Sequence, residues 1–347
     1  MNIYLFIDTV LKRIGLNLSG WPYGYILQPL LVYLVEAILV FLFAAIMIII
    51  VIYLFRKYMA DLQERIGPNR VGPYGSFQLI ADALKMFAKE DIVPEKADKT
   101  AFLLAPYVVF IPLVLVFVLI PYGTFYLTGN IIFSNVIITF ILILAFSAVS
   151  PIGEIIAGAA SNSKFSLIGA WRTAAQDISY EVPLLIAALG VIMMASSTNV
   201  NDIVTAQHIP FIILQPLGFI VFFAGMLSKA SVIPFDLPES ESELVAGFQT
   251  EYSGLRFGLF YLGVFGNIFF VSLLISTLYL GGYGGFWFLP GVIWLMIKTF
   301  ILVFIFLTFW IAMPRVRVDL FMKFGWKYLL PIALVNLIWV TIYVMWW

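Results

Sequence analysis

The 347-residue chain contains no cysteine and one histidine, His208. The first absence removes disulfides, thiolate metal sites, iron–sulfur ligation and any cysteine nucleophile. The second leaves no histidine pair to hold a haem axially. No redox centre, metal site or catalytic residue is identifiable, so no cofactor is expected on this chain alone. Charge is also scarce: 11% of residues are charged and 63% hydrophobic, where soluble domains run at about 25% charged. A water-soluble fold of this size could not cover itself with so few charges, and the bilayer is the natural solvent for such a surface. Lys plus Arg equals Asp plus Glu at 19 each, which gives no indication of a nucleic-acid partner.

What is present is long apolar runs. A transmembrane helix needs roughly 20 apolar residues, and eight stretches qualify: 30–55, 102–120, 132–153, 178–196, 211–229, 255–280, 289–312 and 328–346. The expected fold is all-α, one polytopic membrane domain of eight spans without internal repeat. The connections alternate in charge. Residues 56–99 carry eight basic residues, the next cytoplasmic loop has Lys164 and Arg172, the third Lys229 and Arg256, and the last Arg315, Arg317, Lys323 and Lys327; the connections between them carry none. The basic side is therefore read as cytoplasmic, with both termini outward. The start, MNIYLFIDTVLKRIGLNLSG, puts its apolar run before Lys12 and Arg13, the wrong order for a signal peptide. It reads either as an amphipathic, loosely membrane-associated lead-in or as a disordered end.

The loops carry the chemistry. GPNRVGPYG packs three Gly and two Pro into nine residues, which sets a shaped turn; no Gly-Lys-Ser/Thr follows, so it is not a phosphate loop. After it, Phe77, Ile80, Ala81, Leu84 and Phe87 or Ala88 share one helical face against Asp82, Lys85 and Lys89. That pattern predicts an interfacial amphipathic helix, either resting on lipid or standing as a gatepost for a lipid-phase substrate. In PFDLPESESELVAGFQTEYSG, Asp236, Glu239, Glu241, Glu243 and Glu251 lie within sixteen residues. If the stretch after Pro238 is helical, Glu239 and Glu243 share a face and the carboxylates titrate as a coupled set; otherwise this is a solvated acidic loop. Asp177 and Glu181 stand at the entrance to the fourth span. Within spans the clearest ionisable residues are Glu36, Glu154 and Lys298, charges that face a cavity or a partner unless the two glutamates lie near an interface and snorkel.

At these loops the chain resembles the H-subunit family of bacterial NADH:quinone oxidoreductases, equivalent to subunit 1 of mitochondrial complex I. The resemblance rests on RIGPNRVGPYG with IADALKMFAKEDIVP, on SNSKFSLIGAWRTAAQDISYEVPL, on PFDLPESESELVAGFQTEYSG, on TLYLGG and on PRVRVDLFMKFGWKYLLP, in the family's order along nearly the whole chain. It implies a membrane subunit at the junction with the peripheral arm of a complex I-type enzyme. Such a subunit forms the membrane-facing part of a quinone tunnel and couples quinone reduction to proton translocation. Partner subunits would supply flavin, iron–sulfur clusters and most head-group contacts, with small membrane subunits alongside. The residues carried over are Arg65, Phe77, Phe235 and Asp236 for the tunnel, and Asp177, Glu181, Glu239, Glu241 and Glu243 for proton coupling, together with Glu36, Glu154 and Lys298. The implied location is a bacterial or archaeal cell membrane, or an organellar inner membrane.

The pattern has departures. The family opens its first loop with Glu-Arg-Lys or Glu-Arg-Arg, where this chain has Phe55-Arg56-Lys57. Before PFDL it has a Glu and then an Arg, here Lys229 and Val232. A family Glu in the third span corresponds to Ala148, and an Arg before PRVR to Trp310. These changes leave open a deazaflavin- or ferredoxin-linked dehydrogenase. A membrane-bound hydrogenase subunit is a further alternative, against which the intact GPNRVGPYG and long acidic loop weigh. A stand-alone ion-coupled transporter is the third, disfavoured by the missing repeat.

Overall fold

The computed structural model describes residues 24–125, 129–131, 136–285 and 289–346; the lead-in segment lies outside them. The elements are α1 (Gly24–Leu62), α2 (Gln78–Ala88), α3 (Lys99–Leu119), β1 (Gly123–Phe125), β2 (Gly129–Ile131), α4 (Thr139–Ala160), α5 (Lys164–Ala195), α6 (Val200–Ala206), α7 (Phe211–Leu214), α8 (Pro216–Lys229), α9 (Glu241–Leu244), α10 (Gly254–Tyr279), α11 (Gly291–Ala312), α12 (Val318–Phe324) and α13 (Leu330–Trp346). Apart from one antiparallel hairpin, β1–β2, with Thr124 opposite Asn130, the described residues form a helical bundle.

Seven helices are long and apolar enough to cross a membrane; the last runs Val318–Trp346 through a π-helical turn at Gly325–Leu329. The fifth expected span is broken. Pro216 opens α8, which at 14 residues spans about 21 Å, and α7 continues the crossing beyond Gln215. Proline lacks an N–H and biases the residue before it away from helical geometry; Pro106, Pro112, Pro151 and Pro183 are nonetheless carried inside helices, but here Gln215 leaves the helical region at φ −135° and ψ 67°, and the apolar run 211–229 folds as two pieces. Two other spans begin or end elsewhere than expected. α4 continues to Ala160, which leaves Glu154 well inside it. α5 starts at Lys164 and has 32 residues, so the stretch expected as the second loop is helix, and Asp177 and Glu181 stand mid-helix.

α10 is the central post: the inward-facing Ile268, Phe269, Phe270, Leu273, Leu274 and Leu278 are completely buried. Small residues let its neighbours approach, as in membrane bundles generally. A Cβ on Gly153 of α4 would meet Val109 of α3 at 2.6 Å, and one on Gly266 would meet Leu113 at 2.6 Å.

The basic connections gather at one pole. Asp98 N–H donates to Ala160 O, Ile92 N–H to Ser253 Oγ, Asn162 to Lys96 O, and Val316 N–H to Pro234 O. The charge-free connections meet at the other. There Thr198 Oγ1 donates to Ile137 O, Gln207 Nε2 to Thr277 O, and Tyr283 OH to Asn201 Oδ1. α2 lies at the basic pole and docks on α10 through Leu79 and Met86, while Ile80, Leu84 and Phe87 remain exposed.

Candidate functional site

Three cavities open at the basic pole. The largest, of about 460 Å³, is a surface groove between Pro234, Phe235 and α12. The second, the chamber, of about 380 Å³, lies between the basic ends of α1, α10 and α11 and the 233–249 segment, within the usual size range of ligand sites. One wall is aromatic: Phe55 of α1, Tyr261 and Phe265 of α10, and Trp310 of α11. Asp236, Glu239, Gln249 and Arg315 supply the polar part of the lining. Arg315 donates to Asp236 Oδ2 at 2.6 Å, and Gln249 Nε2 to Glu239 Oε1 at 2.6 Å. Burial pushes the Asp236 carboxyl above the ordinary aspartate range, and the Arg315 guanidinium pulls it back only in part.

The third cavity, about 30 Å³, has room for about one or two waters and is polar. Glu154 of α4, Gln176, Asp177 and Glu181 of α5, and Lys229 at the end of α8 line it. Helical spacing puts Asp177 and Glu181 on one face of α5. Lys229 Nζ lies 3.5 Å from Glu181 Oε1, with its side chain 8% exposed. Glu154 is buried in the same lining as Asp177. Gln176 donates to Ser228 O at 2.7 Å, which fixes its amide with the oxygen free to face the pocket.

The 231–249 segment separates the polar pocket from the chamber and lines both: Ser231 and Pro238 face the polar pocket; Ile233, Asp236, Glu239, Ala246 and Gln249 face the chamber. Its tight folding depends on Gly247, whose φ is +54° and where a Cβ would sit 1.7 Å from Pro238 O. Phe235, at the same segment's turn, packs on Tyr180 and Phe321 and lines a separate surface groove.

The NADH dehydrogenase family model matches residues 35–341. The chain belongs to the NADH dehydrogenase family. It is 47% identical over 293 residues to the H subunit of the NADH-quinone oxidoreductase of Dehalococcoides mccartyi strain CBDB1, covering 84% of this chain and 81% of that one. It is 45% identical over 287 residues to the corresponding H subunit of Anoxybacillus flavithermus strain DSM 21510 / WK1, covering 81% and 85%. This member of the NADH dehydrogenase family is thus a multi-pass membrane protein of an oxidoreductase complex.

Of the residues carried over from the family, the structure brings Asp236 and Glu239 to the chamber and Glu154, Asp177 and Glu181 to the polar pocket. Arg65 is exposed after the end of α1 and donates to Gln63. Phe77 is exposed at the start of α2. Lys298 lies at the opposite pole, where its ammonium donates to the carbonyls of Leu280, Gly282 and Gly284 at 2.6–2.9 Å. Glu36 lies in α1; its side chain and that of Glu241 are outside the described residues.

The expected shared face for Glu239 and Glu243 does not form. The segment makes only the four-residue turn α9; Glu239 turns to Gln249, while Glu243 reaches Arg172 of α5 at 2.5 Å. Asp236, Glu239 and Glu243 each have a different partner, so geometry disperses these three members of the cluster that spacing suggested. The chamber's aromatic wall, Arg315 and Gln249 were not among the expected site residues. Phe55, Lys229 and Trp310 stood out only as departures from the family pattern, yet all three line a cavity.

Proposed function

We propose that the chain forms the membrane-facing part of the quinone chamber in a complex I-type NADH:quinone oxidoreductase and passes the protonation events of that chamber into the membrane. The observation that carries this reading is the shared wall: the 231–249 segment touches both the chamber and the buried carboxylates of the polar pocket. The chamber suits an amphiphile from the lipid phase, with both aromatic surface and charged groups in its lining. The chain itself supplies no redox chemistry; flavin and iron–sulfur clusters belong to peripheral-arm partners, and NADH is the donor named by the relatives. The location is the cell membrane of a bacterium, a reading supported by the apolar spans and the bacterial relatives.

Coupling follows from electrostatics at short range. A change of charge in the chamber acts on Glu239. Across the 231–249 wall from Glu239, Glu154 and Asp177 line the polar pocket together with Glu181, which pairs with the ammonium of Lys229. Three carboxylates and one cation in a buried space cannot all stay ionised without proton exchange. A proton gained or lost on one carboxylate therefore shifts the rest as a set.

Glu239→Gln tests this. The variant complex is expected to assemble, while quinone reduction and proton pumping fall together. Infrared difference spectra on quinone reduction are expected to show a carboxylic-acid band that the variant lacks. Full pumping by the variant would sink the coupling reading.

A further inference from the structure

We propose that the surface groove between Pro234, Phe235 and α12 binds an anionic phospholipid, with the lipid phosphate held by Lys323 and Lys327 and the acyl chains laid on Leu320, Phe324 and Tyr328.

The groove holds about 460 Å³, within the size range of ligand sites. Its lining is apolar and aromatic except for two charged groups, Lys323 and Lys327, and among the described residues no carboxylate lines it. Both lysines are exposed. They stand four residues apart on a helical path, which places them on one face. The Lys327 ammonium lies 5.8 Å from the centre of the Tyr328 ring. The one acid between Arg315 and Tyr328 is Asp319; it lies 3.8 Å from Arg317 and takes no part in the lining.

Helix length gives the depth of the groove in the membrane. The last crossing, Val318–Trp346, has 29 residues, which extend about 43 Å. The hydrocarbon core is about 30 Å thick, or about 40–45 Å with its head-group zones. The basic end of this helix, with both lysines, therefore stands at head-group level. Trp326 and Tyr328 are exposed there, as aromatic side chains are at a membrane–water interface. A small soluble anion would meet the lysines but leave the exposed Leu320 and Phe324 uncovered. A lipid without net charge would cover that surface but leave two ammonium groups uncompensated. An anionic phospholipid answers both.

The walls of the groove are anchored to the rest of the bundle. A Cβ on Gly325 would meet Ser179 O at 2.8 Å, so the π-helical turn lies directly on α5. Phe321 is completely buried, its ring centroid 4.2 Å from that of Tyr180 and 5.0 Å from that of Phe235. Val316 N–H donates to Pro234 O at 3.1 Å. A lipid in the groove thus rests on Pro234 and Phe235, part of the same segment that lines the chamber and the polar pocket.

The test uses the whole complex in phosphatidylcholine nanodiscs. Each sample carries a trace of either phosphatidylglycerol or phosphatidylcholine with a diazirine on the same acyl carbon. After illumination, peptide mass spectrometry reads the label on residues 318–328 as a share of all label on the chain. Phosphatidylglycerol is expected to label this stretch about tenfold more than phosphatidylcholine. The double variant Lys323→Gln, Lys327→Gln is expected to bring the ratio to about twofold or less. The double variant Lys323→Arg, Lys327→Arg is expected to keep it. So is Lys164→Gln, which removes an exposed cation elsewhere at the basic pole. Should the Gln variant fail to assemble, salt decides with the unaltered complex: the ratio is expected to collapse between about 0.1 M and about 1 M, as screening shortens from about 10 Å to about 3 Å. Equal labelling by the two probes overturns the proposal, as does a preference that survives both loss of the lysines and high salt. A stretch that neither probe labels, in a complex labelled elsewhere, would mean that a partner subunit covers the groove, and overturns it as well.

Discussion

At the basic pole five ion pairs join separate segments: Arg56 with Asp82, Arg172 with Glu243, Lys229 with Glu181, Arg256 with Asp91, and Arg315 with Asp236. At the opposite pole, among the described residues, the joins are hydroxyl, amide and ammonium groups on backbone carbonyls and on one another. A carbonyl does not titrate, so the second kind of join keeps its strength as the local charge changes. A carboxylate does, and every join of the first kind weakens when its acid gains a proton. One end of the bundle is thus a fixed clamp and the other a set of contacts that respond to protons. The chamber and the polar pocket both lie at the responsive end.

The contrast breaks most completely if the two poles do not face opposite sides. The chain has no native cysteine, so Glu95→Cys at the basic pole and Ala206→Cys at the other can be labelled singly in intact cells. Both positions are exposed. Impermeant maleimide is expected to reach residue 206 from outside and residue 95 only after permeabilisation; the same side for both would end the comparison.

The next effect is the loss of the buried cation. Lys229→Met leaves the Glu181 carboxylate without its partner, which for a buried pair costs about 3–5 kcal/mol. It is also expected to shift the pH profile of quinone reduction. Lys298→Met removes three hydrogen bonds from carbonyls that can partly reach water, at about 1–3 kcal/mol, and is expected to leave the pH profile in place. Thermal unfolding of the purified complex with rate profiles across pH checks both. A profile shift in the Lys298 variant alone would reverse the roles of the poles.

Smaller still is the tether of the first loop. Arg56 holds Asp82 at 2.5 Å. Burial raises this carboxyl, but the bonds from Arg56 and Gln78 outweigh it, and the net pKa lies below the ordinary aspartate value. For an acid so lowered, the stabilisation is present above the ordinary value and is lost as pH falls through the lowered one. Hydrogen exchange in Gln78–Ala88 is expected to rise as pH drops below about 3.9, after correction for intrinsic rates. Asp82→Asn is expected to abolish that step. Glu243→Gln is expected to do least to stability, under about 1 kcal/mol, because that carboxylate is half exposed.

Sequence periodicity located the helices well where a single apolar run met a clear stop. α10 and α11 begin and end within two residues of expectation. It failed where helix continued through charge: the basic and acidic residues of 164–181 suggested a loop, but their helix-forming neighbours carry the backbone unbroken from Lys164. It failed again at Pro216, whose breaking effect was submerged in apolar composition. For the site, Asp177 and Glu181 were legible because a four-residue spacing is local. The aromatic wall was not, since Phe55 and Trp310 meet only after α1 and α11 have packed on α10, and nothing local marks a contact between positions so far apart in the chain.

The break at Gln215 constrains the order in which the molecule can be completed. Unpaired backbone is not tolerated against lipid and must be enclosed by protein. Here the enclosure is supplied late: Gln215 is completely buried, and the Gly218 N–H at the start of α8 donates to Asn336 Oδ1 of α13, a helix made more than a hundred residues later. Trp339 of α13 likewise donates to Leu214 O at the end of α7. The fifth crossing therefore cannot reach its final shape until the C-terminal helix has been made and inserted. Until then its apolar run can satisfy its backbone only provisionally, in other conformations or with other partners. A chain truncated before Asn336 would keep its charge pattern and most of its helices, yet hold an unfinished crossing that membrane quality control can recognise. Completion of the fifth crossing thus waits on one asparagine reaching back more than a hundred residues.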